Sequence, residues 1–292
     1  MVNTAWSDRI QPIGTLYLSR RLRFSDEYQA QYQTAFSLDP GVETILEIGC
    51  GPGAFAQSLA RWYPNAHVTG IDLDTAFIQF AARQAPNIRF LQADAVNLPF
   101  EEGSFDVTVS NTVQEHLPPD KFFGQQYQVL KPGGLCLVLS ARRGVSLSAP
   151  CVAERSPLEQ EIWKRAERFF QSNDRGLSVG QYWMNERELP VAMAQAGFRH
   201  ISTSYLAVNL TPDNPDHSSE QALAMINANR QNDLDAIASL TCVAPGLAAS
   251  WELEEVKAQI NRRYDRRLQL YRAGTPQWDT DVSLTMIIRG VK

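Results

Sequence analysis

Short apolar runs recur along the first half of the chain: ILEI at 45–48, VTGI at 68–71, IRFLQA at 88–93, FDVTVSN at 105–111 and LCLVLS at 135–140. Runs of this length, bounded by Gly, Asp, Asn or Ser, read as strands buried in a sheet. Between them, AFAQSLARWY (54–63) keeps Phe55, Leu59 and Trp62 on one helical face, and TAFIQFAARQ (75–84) and KFFGQQYQVL (121–130) also read as helices. Strands separated by helices of about ten residues predict an α/β fold, a Rossmann-like, mostly parallel sheet with helices on both faces. Ligands of such sheets sit beyond the carboxyl ends of the strands.

The alternation lapses after Ser140. Ser156, Pro157 and Glu159 mark a helix start, a capping box with proline at the first helical position. NERELPVAMAQAGF (185–198) restores the rhythm, with Asn185 as cap and Gly197 as terminator, and FRHISTSYLAVNL (198–210) is the next strand. Two long amphipathic helices follow at 218–240 and 251–271, the second with Val256, Ile260, Tyr264 and Leu268 at i, i+4 spacing. Its RRYDRR run (262–267) reads as a solvated face because acids alternate around it. DVSLTMIIRG (281–290) is the last strand. The expected organisation is an N-terminal helical cover (1–40, with Tyr17, Arg20 and Tyr28), a core (41–140), an insertion (141–185), more core (186–210), a helical insertion (211–275) and a final core strand (276–292). Both insertions leave the sheet at its ligand-bearing edge, and they are expected to meet there as a lid.

The 292 residues are 44% apolar, enough for a full core, and the net charge of −5 argues against a surface that follows nucleic acid or anionic membrane. The segment MVNTAWSDRIQP has no apolar signal region, and no run approaches the ~18 apolar residues of a membrane span. A cytoplasmic protein without a membrane span, monomeric or homodimeric, is the expectation. The four cysteines (Cys50, Cys136, Cys151, Cys242) form no C-x-x-C pair and read as reduced, mostly buried thiols.

Candidate chemistry begins where the first strand stops. Gly49, Gly51 and Gly53 let the backbone turn tightly against a ligand, and Gly49, Gly51 and Ala54 also satisfy the loose G-x-G-x-x-A dinucleotide pattern. Glu47 separates the two ligands: a carboxylate here repels a pyrophosphate but suits a cation. S-adenosylmethionine is such a cation and carries no phosphate. Asp72, at the end of the second strand, can accept both ribose hydroxyls, and Asp94, after the third, can accept from the adenine amino group. The competing structural reading of Asp72 is a helix cap, a task Asp74 and Thr75 could also perform.

With ILEIGCGPG, VTGIDLD, FLQADAVNLPFEEGSFDVTVSNTVQEHL, QVLKPGGLCLVLS and the AGF at 196–198 in this order, the chain resembles the class I S-adenosylmethionine-dependent methyltransferases of the small-molecule type. The resemblance covers about residues 42–140, with weaker support at 185–206 and 281–290. It implies a seven-stranded sheet whose last strand is antiparallel. By resemblance, Glu47, Gly49 and Gly51 line the methionine side, Asp72 and Leu73 the ribose, Asp94 and Ala95 the adenine, and Asn111 the loop beside the sulfonium, with S-adenosylhomocysteine as product. The acceptor expected is a small molecule methylated on O, N or C. The alternatives are binding without transfer, a nucleic-acid methyltransferase, or an NAD-dependent oxidoreductase, and the sequence after the fourth strand, NTVQ, lacks the N-P-P-aromatic stretch of amino-methylating nucleic-acid enzymes. His116, in the loop bordering the transferred methyl, is a candidate base. Tyr182, in a loop with little helical periodicity, is a candidate pocket residue and, with Tyr17 and Tyr28, an alternative catalytic base. No ligand cluster calls for a metal.

Overall fold

The apolar runs form the strands expected of them: β1 (Thr44–Ile48), β2 (His67–Asp72), β3 (Arg89–Gln92), β4 (Phe105–Asn111) and β5 (Leu130–Ala149), followed by β6 (Arg199–Asn209) and β7 (Thr280–Val291). The structure is a computed structural model and describes residues 6–7, 12–149, 155–172 and 180–292. The seven strands make one sheet in the order β3-β2-β1-β4-β5-β7-β6. The first five are parallel, and β7 is antiparallel to both β5 and β6. From β1 the chain builds outward to β3, then returns to place β4 on the other side of β1. The β1/β4 boundary is therefore the topological switch point, where open α/β sheets open a crevice.

Helices pack on both faces. On one, α2 (Gln29–Phe36) and α3 (Ala54–Trp62) bury Tyr32, Phe36, Phe55 and Trp62 against Ile45, Val107 and Leu137. On the other, α5 (Pro119–Val129) and α7 (Glu188–Gln195) bury Phe122, Phe123, Leu189 and Met193 against Leu46, Ile48 and Val138. Each such side chain contributes about 1.5–3 kcal/mol of burial. Asp74 caps α4 (Thr75–Gln84) by accepting from Ala76 N–H. Asn185 accepts from Arg187 and Glu188 N–H while Glu188 reaches back to Asn185 N–H. Gly197, at φ 101°, ends that element as expected.

Three details depart from the sequence reading. The strand expected to stop at Ser140 runs on to Ala149, because β7 continues beside it as far as the pairing of Ala149 with Thr280. Ser156 does cap α6 (Pro157–Ser172), but the Glu159 carboxylate turns to Arg263 on α9 (Ser250–Arg272). The RRYDRR run is not a uniformly solvated face. Arg262, Asp265 and Arg266 are exposed, whereas Arg263 and Arg267 turn inward, and Arg267 is only 1% exposed. Arg267 binds Asp213 and Asp279, and Arg263 binds Glu159 and Asp233. The Arg263 pairs stitch α6, α8 (Ser219–Val243) and α9 around their own core of Ile162, Ala166, Ile237, Leu240, Val256 and Ile260, and the Arg267 pairs tie α9 to the segments that precede α8 and β7. The insertions thus meet each other, and α8 lies against α1 (Ile13–Arg23), where Thr15 donates to Asp235. Cys50 and Cys136 are buried and Cys242 is exposed; Cys151 lies outside the described residues. No described helix is long and apolar enough to cross a membrane.

Candidate active site

A cavity of about 230 Å³ opens at the switch point, over the carboxyl ends of β1 to β4. Its floor is the loop that follows β1. Gly49 and Gly53 have φ of 67° and 82°, and a Cβ on Gly53 would stand 2.8 Å from that of Ala81, so the turn is closed to larger residues. Gly51 N–H donates to Asp72 Oδ2 at 2.8 Å, and Asp74 N–H donates to Oδ1 at 2.9 Å. These two bonds tie the β1 loop to the end of β2 and aim the Asp72 carboxylate at the crevice. Asp74 is the cap of α4, so the structural reading offered for Asp72 falls to its neighbour. Asp94 accepts from Val96 N–H at 3.0 Å, which fixes the turn after β3.

All eight residues expected to hold a cofactor, Glu47, Gly49, Gly51, Asp72, Leu73, Asp94, Ala95 and Asn111, line this one cavity. Glu47 is only 2% exposed, and among the described residues its Oε2 has no hydrogen-bond partner. Burial, reinforced by the nearby Asp72, pushes the Glu47 carboxyl well above the usual carboxylate range. Burial likewise raises Asp72, to about 6, although the N–H groups of Asp74 and Gly51 oppose the shift. Two neighbouring acids held this way form a socket for a cationic, hydrogen-bond-donating ligand, which would restore their ionisation. A phosphate would meet repulsion at the same place. Among the described residues no group of His, Cys, Asp or Glu is arranged to hold a metal ion.

His116 also lines the cavity. Its Nδ1 accepts from Gly180 N–H at 2.9 Å, which in the neutral imidazole leaves the proton on Nε2. Tyr182 does not line the cavity. Its N–H donates to Glu115 O at 3.0 Å and its carbonyl accepts from Gln114 Nε2 at 3.1 Å. The three bonds zip the loop after β4 to the segment that returns from the first insertion. His116 and Tyr182 are therefore neighbours through the backbone, with only the imidazole facing the crevice.

The roof belongs to the N-terminal helical cover expected from the sequence, although none of the residues that form it was assigned to the site. Among the described residues it comes from Trp6 and from α1, through Leu16, Arg20 and Phe24, where the insertions were expected; α6, α8 and α9 contribute nothing to the lining. Trp6 meets His116 edge-on, with ring centroids 4.8 Å apart. Leu16, Arg20 and Phe24 stand at i, i+4 and i+8, and a cation in the middle of an apolar helical stripe is a signal the sequence does carry.

Residues 45–134 match the family model described as a methyltransferase domain. Over 118 residues, 39% of this chain, the sequence is 39% identical to a fatty-acid O-methyltransferase of Mycolicibacterium smegmatis, 43% of which is covered. Over 107 residues, 35% of this chain, it is 38% identical to a phthiotriol/phenolphthiotriol dimycocerosates methyltransferase of Mycobacterium tuberculosis, 39% of which is covered. The matches span less than half of either relative. A solved structure, the phosphoethanolamine N-methyltransferase 2 of Haemonchus contortus in complex with S-adenosyl-L-methionine, aligns with 98% of this chain and 59% of its own at a TM-score of 0.53 and 18% identity. It shares the fold.

Proposed function

We propose that this chain, which carries a methyltransferase domain of the class I type, transfers the methyl group of S-adenosylmethionine to an oxygen, nitrogen or carbon of a small-molecule acceptor and releases S-adenosylhomocysteine. The observation that supports the reading is the buried Glu47 carboxyl, whose Oε2 has no partner among the described residues, beside Asp72 in a cavity lined by all eight residues expected to hold the cofactor. In this reading Glu47 receives the ammonium, Asp72 the ribose hydroxyls, Asp94 the adenine amino group, and Asn111 stands beside the sulfonium.

Held by Glu47, Asp72 and Asp94, S-adenosylmethionine would supply an activated methyl group, its carbon–sulfur pair going to sulfur as an electron pair of the acceptor bonds the methyl carbon. What the chain adds is alignment and exclusion of water. With Nδ1 accepting from Gly180 N–H, His116 ties the loop after β4 to the returning segment, and in this reading it keeps that loop beside the acceptor. In this reading the proton of an O–H or N–H acceptor passes to solvent. The apolar roof of Leu16, Phe24 and Trp6 fits an acceptor with an apolar body, in keeping with the fatty-acid O-methyltransferase among the curated relatives. We take the acceptor to be neither nucleic acid nor membrane, and the protein to act in the cytoplasm as a monomer or homodimer.

Calorimetry with S-adenosylmethionine and NAD tests the cofactor, and S-adenosylhomocysteine release against a panel of acceptors tests the transfer. Tighter binding of NAD, or activity confined to polynucleotides, would overturn the reading. Cofactor affinity without product on any acceptor would favour a binding protein instead. Asp72→Ala is expected to weaken S-adenosylmethionine by about 1.5–3 kcal/mol, the range for hydrogen bonds to a charged group.

A further inference from the structure

We infer that Arg20 is the carboxylate-binding residue of this cavity, so that α1 is part of the ligand site as well as its cover. The inference deepens the methyltransferase reading and rests on it.

Arg20 stands between Leu16 and Phe24 on the roof, and its Nη2 donates to Thr112 Oγ1 at 2.9 Å. The Thr112 hydroxyl in turn donates to Asn111 O at 2.7 Å, which anchors the guanidinium over the end of β4. Thr112 adopts a left-handed φ of 55°, uncommon for a residue with a branched Cβ. Among the described residues Arg20 forms no ion pair, although Glu47 and Glu115 are near enough to act on its charge. The inward-facing arginines of the insertions, Arg263 and Arg267, each bind two carboxylates.

A guanidinium turned into a crevice without a carboxylate of its own calls for one from a ligand, and its planar fork matches a carboxylate bidentately. Across the same cavity, the orphaned Oε2 of Glu47 calls for a donor cation. Two chemical sources can bring the carboxylate: the amino-acid end of the cofactor, whose ammonium would then face Glu47, or an acidic acceptor.

Calorimetry on the full chain separates them, using two pairs of probes that differ by one carboxylate. S-adenosylmethionine is compared with its decarboxylated form, and, with S-adenosylhomocysteine present, decanoate is compared with decanol. The expected result is that wild type prefers the acid of one pair by about tenfold or more. Arg20→Gln should abolish that preference while leaving the carboxylate-free twin within about threefold, and Arg20→Lys should keep part of it. Thr112→Val, which removes the anchor and keeps the cation, should retain the preference. The pair that responds identifies the source. No preference in wild type, or an Arg20→Gln variant that keeps it, overturns the inference. So does equal weakening of both members of a pair, the mark of a merely structural latch. Loss of all binding of either cofactor form by wild type would instead remove the methyltransferase reading itself.

Discussion

In the bundle of α6, α8 and α9, buried charge is matched; in the cavity at the sheet's edge, it is not. Burial alone would lower Arg267, but Asp279 and Asp213 carry it above the usual arginine range, and Glu159 and Asp233 do the same for Arg263. Among the described residues Arg20 has no such partners: burial and the nearby Arg23 bring it down to about 10. The acids follow the same division. Asp213 accepts from Arg267 and from the N–H groups of Gln277 and Trp278, whereas Glu47 keeps an oxygen with no partner. Both regions bear the desolvation cost of charge, but only the bundle recovers it within the chain. In the proposed reading the cavity recovers it from a ligand. Unmatched burial is thus the physical trait that separates a binding site from a structural ion network with similar residues.

The sharpest break of this comparison is Arg267→Met. It leaves Asp213 and Asp279 without their cation, and the expected loss is about 3–5 kcal/mol of unfolding free energy, read by urea denaturation. Glu47→Gln should act in the opposite sense on the apo protein, because its buried carboxyl already favours the neutral form. The urea midpoint should hold or rise while S-adenosylmethionine affinity falls by about 1.5–3 kcal/mol in calorimetry. A parallel fall of both quantities would show that Glu47 is structural after all.

A third test uses pH. Asp72 has its folded carboxyl raised from 3.8 to about 6, so its contribution favours the apo fold at low pH and is lost as pH rises through about 6. The ligand needs the ionised form. Cofactor affinity should therefore weaken as pH falls below about 6, by up to about tenfold per unit, while the apo protein gains stability over the same window. The smallest effect is expected at the surface. Lys257→Ala removes the exposed pair with Glu254, 2.7 Å apart on α9, and should change unfolding by about 0–1 kcal/mol.

Much of the fold and of the cavity floor was legible because both follow local rules. Apolar runs of four to seven residues between helical stretches have few ways to pack other than as a layered sheet, and Glu47, Asp72 and Asp94 each stand where a strand stops. The roof depends on a long-range docking that no periodicity encodes. Arg20 sits in an apolar stripe of α1, but only the bond to Thr112, 92 residues away, brings it to the end of β4. The RRYDRR run failed for a related reason. Helical spacing assigns Arg263 and Arg267 to one side of α9, but whether that side meets water or the acids at 159, 213, 233 and 279 is decided by tertiary structure. His116 was singled out by its position after β4, while its bond to Gly180, far along the chain, is set by tertiary structure.

The long pairing of β5 with β7 also has a kinetic consequence. Its outer end joins Ala149 to Thr280, the points at which one insertion departs and the other returns. The bundle therefore gains its close approach of α6 to α9 only after strands from opposite halves of the chain have zipped, a late event with a large loop-closure cost. The β1-α3-β2 unit needs only neighbouring residues and can form first. A refolding chain should accordingly assemble the glycine loop and Asp72 early and the ion network around Arg267 last, with the helical bundle as the segment exposed to proteases in the interval.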